Sequence, residues 1–296
     1  MKKTIKLGFV DFAINWGEWP DPIRFFVDTL KDDFDIQVTN SDWRGNRFDT
    51  GVAPDFIICA HPGTEHLKYK CPKIYFPEEP NAPPINWTDY DYAMTYRVTT
   101  DNPNRHHRLP IYPLFADMNL LTQPEPWSDS LWNREFCCVL FGKPYPHDET
   151  PREDFFRRLC EYKKVHSAGR HLNNVGYSRT MREKGEYIKG FKFVLSFESC
   201  SIPGFTTEKC FQPLLASSVP VYWGNPLIGR DFNTKRFVNC MDYESLDKAI
   251  ERIVELDRNE SAYRALFEQP RFVGNVVNDD VRKDSIVAFF RKVFNA

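Results

Sequence analysis

The sequence predicts an α/β protein built of two domains. Short apolar runs alternate with helical patterns through both halves of the chain, the pattern of parallel sheets covered by helices. One stretch, residues 193–226 (FVLSFESCSIPGFTTEKCFQPLLASSVPVYWGNP), reads as strand, glycine turn, capped helix, strand and glycine turn. At 296 residues, the chain is long enough for two domains of ordinary size.

In the first half, strands are expected over 5–12, 35–39, 55–60, 73–76 and 90–95. The opening MKKTIKLGFVDFAI places two lysines before an apolar stretch, as a signal peptide does. Lys6 and Asp11 interrupt that stretch and no small-residue cleavage site follows, so a first strand is expected instead. Residues 22–30 form a helix, with Asp21 as cap and Pro22 at the first position, where a missing N–H costs nothing. Residues 103–126 are proline-rich and polar and read as the link between domains. This gives a first domain at 1–130, a second at 131–280, and a C-terminal helix at 281–296 that packs back on the first.

The second half begins with a strand at 136–141. A helix follows at 152–162, with Phe155, Phe156 and Leu159 on one face, then a short strand at 164–167 and a helix at 181–189. After the 193–226 stretch, helices are expected at 243–256 and 262–267. Ile286, Phe289, Phe290, Val293 and Phe294 recur at helical spacing, which predicts a helix facing a core rather than a membrane.

Composition excludes several classes. Hydrophobic residues are 42% and charged residues 27%, as in a soluble globular protein. A net charge of −2 gives no global attraction to nucleic acid or anionic membranes. No apolar run approaches the ~20 residues of a transmembrane helix. None of the eight cysteines forms a C-x-x-C pair, and Cys59, Cys137, Cys138 and Cys240 sit in or beside apolar runs. A reducing compartment without required disulfides is expected. The acidic triplets Asp33-Phe34-Asp35 and Asp89-Tyr90-Asp91, and the pair His106-His107, read as structural rather than metal-binding.

The charged residues at element ends point to chemistry. Thr206 or Thr207 caps a helix whose first turn carries Glu208 and Lys209. A helix start after a buried strand presents free N–H groups, a natural anion site. A cation there opposes the helix dipole, so Lys209 is explained by an anionic ligand, and a diphosphate is the obvious candidate. Arg152 stands at another helix start, with Glu153 and Asp154 compensating its charge. Glu78 follows Ile74-Tyr75-Phe76 and so projects from the carboxyl end of a strand, the ligand edge of α/β sheets. Glu79 is its neighbour and rival. His61 ends another strand and lines the same side.

These residues carry a resemblance. Phe197-Glu198, Thr207-Glu208-Lys209 and Val219-Pro220-Val221-Tyr222-Trp223-Gly224 resemble the donor-binding motif of the α1,3/4-fucosyltransferases, glycosyltransferase family 10. The chain departs at Ser199 and Cys200, where the family has Asn-Ser, and at Phe205, where it has Tyr. Asp231 to Asn239 is similar to the following segment of the bacterial branch. Ala60-His61-Pro62-Gly63 and Lys73 to Asn81 are similar to an upstream segment.

The resemblance implies the GT-B architecture, two Rossmann-like α/β domains facing across a cleft, the first for acceptor and the second for GDP-fucose. It implies Glu78 as general base. Arg152, Glu198, Ser199, Phe205, Thr207, Glu208 and Lys209 fall on the donor side, and His61 and Glu79 on the acceptor side. It implies inverting transfer of L-fucose to the 3-hydroxyl of N-acetylglucosamine in a lactosamine-type glycan, giving a Lewis x type product. No metal or other cofactor is required in that scheme. The basic membrane-binding tails of some bacterial relatives are missing, so a cytoplasmic enzyme touching the inner membrane only transiently is expected. Three alternatives stay open: an α1,4-selective enzyme, a metal-dependent nucleotide-sugar transferase, and a non-catalytic nucleotide- or glycan-binding relative.

Overall fold

The computed structural model describes residues 2–12, 20–43, 47–99, 101–145 and 150–295. Chain contacts divide these into two compact units, one holding the residues up to Phe115 and those from Asp279 on, the other Ala116–Asn278.

The first unit is a seven-stranded sheet. Its strands are β1 (Lys3–Val10), β2 (Phe34–Ser41), β3 (Phe48–Asp49), β4 (Phe56–Cys59), β5 (Lys73–Tyr75), β6 (Tyr92–Thr95) and β7 (His106–Arg108), in the order β3-β2-β1-β4-β5-β6-β7. All pairings are parallel except β2 with β3. Helix α1 (Pro22–Leu30) starts where the sequence predicts: the Asp21 carboxylate accepts from Ile23 N at 2.9 Å and Arg24 N at 3.3 Å.

The expected link at 103–126 is largely folded. It holds β7 and two 3-10 turns, Tyr112–Leu114 and Met118–Thr122, with Leu109, Ile111, Tyr112 and Leu121 buried. The division between units falls inside this stretch because Leu121 and Gln123 are tied to the second unit. Their carbonyls accept from Arg271 Nη1 at 3.3 and 3.1 Å.

The second unit is a five-stranded, all-parallel sheet of order β12-β11-β10-β8-β9. Its elements run α2 (Asp129–Trp132), β8 (Glu135–Val139), α3 (Arg152–Tyr162), β9 (Val165–Ser167), α4 (Met181–Ile188), β10 (Phe191–Phe197), α5 (Glu208–Leu215), β11 (Val219–Trp223), β12 (Val238–Asn239), α6 (Leu246–Arg258) and α7 (Glu260–Phe267). Every residue of β10 is buried, as in a central strand covered on both faces. β10 starts two residues before the expected apolar run. Lys192 is accommodated there because Asp257 pairs with its ammonium, which also lies 3.9 Å from the centre of the Trp132 ring. Helix α6 starts later than expected: Cys240–Asp242 closes a 3-10 turn, and Ser245 caps the helix by accepting from Lys248 N.

The chain closes with α8 (Lys283–Asn295) in the first unit. Its buried face is Ile286, Val287, Phe289, Phe290, Val293 and Phe294. Phe290 meets Phe26 of α1 edge-on at 5.8 Å, and Phe294 packs on Phe34 and Phe56 at 5.1 and 4.9 Å. The spacing of these aromatics is therefore a packing code for α1 and the sheet. Cys59, Cys137, Cys138 and Cys240 are buried free thiols. Among the described residues, no helix is long and apolar enough to cross a membrane. Phe290 is fully buried, so Phe290→Ala should cost about 3–5 kcal/mol in urea unfolding. A loss below about 1 kcal/mol would contradict this packing.

Candidate functional site

Parallel pairing places the carboxyl ends of β2, β1, β4, β5 and β6 on one edge of the first sheet. Asp42, Asp11, His61, Glu78 and Arg97 follow those ends in turn. Glu78 is only 5% exposed, and its Oε1 has no hydrogen-bond partner among the described residues. Burial, helped by the neighbouring charge of Glu79, pushes its carboxyl up to about 8. Glu79 is half-buried. The backbone beyond the pair is tied down: Tyr96 Oη donates to Pro80 O at 2.9 Å, and Arg97 Nη2 donates to Ala82 O at 2.7 Å.

His61 is half-buried, and partial burial pushes its imidazole pKa down. Beside it lies a polar cluster that sequence reasoning missed. Asp11 is buried with φ 66°, a left-handed conformation that aspartate tolerates at turns. Its Oδ2 lies 2.6 Å from His66 Nδ1, and His66 Nε2 lies 3.2 Å from Tyr90 Oη. Asp42 in turn accepts from Asp11 N and Phe12 N at 2.9 and 2.8 Å. A Cβ on Gly63 would fall 2.1 Å from Asp11 Oδ1, so the glycine after His61-Pro62 makes room for that carboxylate.

The second unit gathers its charged residues at the carboxyl ends of β10 and β8. Thr207, not Thr206, caps α5. Glu198 follows β10 and is completely buried. Its Oε1 accepts from Thr207 N at 2.9 Å, and its Oε2 lies 2.7 Å from Thr207 Oγ1 and 3.1 Å from Lys209 Nζ. Lys209 Nζ also donates to Thr207 Oγ1 at 3.0 Å and stands 3.9 Å from Glu208 Oε1. Burial opposes the charge of Lys209, but Glu198 and Glu208 outweigh it and hold the ammonium well above its usual range. The lysine at this helix start is thus accounted for by two carboxylates of the chain. This corrects the expectation that only a bound anion would explain it. Its side chain keeps 29% exposure, and one of its three N–H groups is unused among the described residues.

Glu208 is 4% exposed. Burial favours its neutral form, yet Lys209 and then Lys184 pull the carboxyl down to about 2. Its Oε2 is buried with no hydrogen-bond partner among the described residues. Thr206 has a different task from its neighbour. Its hydroxyl donates to Asp231 Oδ2 at 2.6 Å and accepts from Asn225 Nδ2 at 2.9 Å, while Asn225 Oδ1 accepts from Gly204 N at 2.7 Å. This polar brace fixes the loop that leads into α5. Phe205 is buried within that loop, and Ser199 is half-buried beside Cys200.

Arg152 opens α3. The bare sequence makes an arginine there a surface residue, but it is 3% exposed. Its guanidinium stacks on Phe141 at 4.6 Å and Tyr145 at 4.3 Å, and Nη2 donates to Lys143 O. Its Nε has no hydrogen-bond partner among the described residues. Glu153 is drawn to His171 Nε2 at 2.7 Å, and Asp154 to Arg158 at 2.8 Å. The acidic triplets serve local structure: Asp35 accepts from Thr4 Oγ1 at 3.0 Å, Asp89 from Asn86 Nδ2 at 2.6 Å, and Asp91 from Lys73 N at 2.9 Å. No group of His, Cys, Asp and Glu among the described residues could hold a metal ion.

Two Rossmann-like α/β units with charged groups at the carboxyl edges of parallel sheets define the GT-B class of glycosyltransferase folds. The family pattern "Alpha-(1,3)-fucosyltransferase FucT N-terminal domain" matches residues 7–115, and "Glycosyltransferase family 10 (fucosyltransferase) C-term" matches residues 141–284. The chain belongs to glycosyltransferase family 10. It is 35% identical over 235 residues to the alpha-(1,3)-fucosyltransferase FucT of Helicobacter pylori, covering 69% of this chain and 48% of that protein, so it spans about half the length of that relative. A crystal structure of an alpha1,3-fucosyltransferase matches the whole chain and 91% of its own, with a TM-score of 0.79 at 22% identity. A structure of an alpha1,3-fucosyltransferase with GDP-fucose matches with a TM-score of 0.74 at 21% identity, covering all of this chain and 92% of its own.

The raised carboxyl of Glu78 has a consequence for stability. The folded pKa of about 8 lies above the unfolded value near 4.5, so the stability linked to this proton is complete below the unfolded value and is lost as pH rises through about 8. Glu78→Gln, which cannot ionise, should therefore melt several degrees above wild type at pH 9 and within about two degrees of it at pH 5. Parallel melting curves with no pH-dependent gap would contradict a buried, protonated Glu78.

Proposed function

We propose that this protein is a GDP-fucose-dependent α1,3-fucosyltransferase that transfers L-fucose with inversion to the 3-hydroxyl of N-acetylglucosamine in a lactosamine-type glycan. The observation that carries the reading is the pairing of family with geometry: one family pattern lies within the first unit and the other covers the second unit from Phe141 up to its end at Asn278, and each unit's sheet ends in the groups this reaction needs.

In the proposed reaction, Glu78 acts as the general base from the first unit. Its ionised form takes the proton of the acceptor hydroxyl, and that oxygen attacks the anomeric carbon of fucose from the side opposite the diphosphate. The bond from the anomeric carbon to the β-phosphate oxygen breaks, and GDP leaves with the electron pair. A base held near pH 8 binds its proton strongly once it is taken, which favours abstraction from a weakly acidic alcohol. Glu79 and His61 are assigned to the acceptor side.

The second unit supplies charge to the leaving group. Lys209 and Arg152 are proposed to contact the diphosphate, together with the N–H groups at the start of α5. The unused N–H of Lys209 and the unpartnered Nε of Arg152 support this assignment. Glu208 presents Oε2 to a hydroxyl of the ribose or the fucose. Glu198 and Thr207 act on the donor through Lys209, which they hold in place, and Ser199 and Phe205 complete the donor side. Because protein cations meet the diphosphate charge in this scheme, turnover requires no metal.

Incubation with GDP-fucose and a panel of type 1 and type 2 disaccharides, with a chelator present, tests the reading. The expected product is an α1,3-linked fucose on the glucosamine of the type 2 acceptor, and Glu78→Gln should lower turnover by about 10²-fold or more. Linkage to O4, or activity abolished by chelation and restored only by manganese or magnesium, would overturn the corresponding part. Near wild-type turnover in Glu78→Gln would remove the base from this position and turn attention to Glu79.

A further inference from the structure

We propose that Lys184 is a positioning residue for the donor site: it fixes one oxygen of Glu208, so that the other faces a donor hydroxyl and Lys209 is left for the diphosphate. This rests on the donor reading above and extends it to a residue outside the motif that carried that reading.

Lys184 lies in the first turn and a half of α4, which Thr180 and Glu183 start with a capping box. In that box Thr180 N donates to Glu183 Oε2 at 2.9 Å, and Glu183 N donates to Thr180 Oγ1 at 3.4 Å. This start sets the rotation of the helix, and Lys184 and Ile188 face inward. Lys184 is 8% exposed, an uncommon situation for a lysine unless it is paired. Its partner is Glu208 of α5: Lys184 Nζ lies 3.3 Å from Oε1.

The hydrogen bonds of Glu208 are unequally shared. Lys184 takes Oε1, and Lys209 stands 3.9 Å from the same atom while donating to Glu198 and Thr207. Oε2 receives no hydrogen bond among the described residues, although it is buried. Leaving a buried carboxylate oxygen unbonded is costly, so this atom is the natural acceptor for a ligand hydroxyl. Lys184 thereby sets which oxygen is held and which is presented.

The charges also alternate: Lys184, Glu208, Lys209 and Glu198 form a chain of two cations and two anions that cancel. Removing Lys184 leaves two carboxylates sharing Lys209, a cluster of net charge −1. Glu208 would then turn toward Lys209 and compete with the diphosphate for its ammonium. The role of Lys184 is transmitted entirely through Glu208, and that is what makes it testable.

The test is a double-mutant cycle with Lys184→Met and Glu208→Gln, read in kcat/KM for GDP-fucose and in melting temperature. In the wild-type background, Lys184→Met should lower kcat/KM by roughly 10- to 100-fold. In the Glu208→Gln background it should change it by no more than about 2-fold. The melting temperature should be non-additive in the same sense: Glu208→Gln strands a buried lysine and destabilises, and adding Lys184→Met should recover part of that loss. Equal losses of kcat/KM in both backgrounds, or no loss in either, would overturn the role of Lys184. Should the methionine variant fail to fold, Lys184→Gln repeats the cycle, with the same non-additivity expected. A wild type that transfers no fucose, but whose melting temperatures remain non-additive, would count against the donor reading and not against the pairing. Additive melting temperatures in an active enzyme would count against the pairing itself.

Discussion

The second unit is organised around the burial of one carboxylate. Glu198 is entirely shielded from water at the end of β10, and a charge in that position must be met by hydrogen bonds and a counter-charge. Thr207 supplies its N–H and hydroxyl, and Lys209 supplies the ammonium. Those three bonds tie the start of α5 to the end of β10. The opposite wall must be a glycine, since a Cβ on Gly224 would fall 2.4 Å from Glu198 Cγ, and its φ of 153° is one that side chains rarely adopt. A motif of Phe197-Glu198, then Thr207-Glu208-Lys209, then a strand ending in Gly224 therefore follows from a single packing requirement. The same requirement leaves Glu208 and Lys209 at the carboxyl edge of the sheet, where a ligand can meet them.

The two units use electrostatics in different ways. In the first, Glu78 is buried with no cation paired to it among the described residues and its carboxyl is driven up, which gives a group able to hold a proton at neutral pH. In the second, carboxylates and lysines alternate, so burial is offset and Glu208 stays ionised to about 2. One environment suits acceptance of a proton, the other suits a polar donor with a charged leaving group. Both arise at carboxyl ends of parallel strands: Glu78 lies three positions beyond β5 and Glu198 one beyond β10, while Glu208 and Lys209 open the helix that follows β10.

Local signals in the sequence were enough to place the strands at the centre of each sheet, the Asp21 cap, and the cap of α5 to within one residue, Thr206 or Thr207. Each depends on a run of apolar residues or on one polar side chain reaching a backbone group two or three residues away. What the sequence concealed depends on partners far along the chain. Lys192 sits inside a buried strand because Asp257 and Trp132 receive it. Arg152 is buried because Phe141 and Tyr145 stack on it. Asp11 and His66 are 55 residues apart and meet only when β1 and β4 pair. Lys184, read only as part of a helix, meets Glu208 across 24 residues. The polar stretch at 103–126 looked like a link because prolines obscured the short strand β7 and the buried Leu109, Ile111 and Tyr112.

The central claim is that the ionic cluster at the start of α5 receives the diphosphate of a nucleotide through Lys209. Calorimetric titration of wild type and Lys209→Ala with GDP and with GMP tests it most directly. A charge-assisted contact to the second phosphate is worth roughly 1.5–3 kcal/mol, so Lys209→Ala should weaken GDP binding by about 10- to 150-fold while changing GMP binding far less. Equal losses for the two nucleotides would contradict the claim, because the variant would then have damaged the site without removing a contact to the second phosphate.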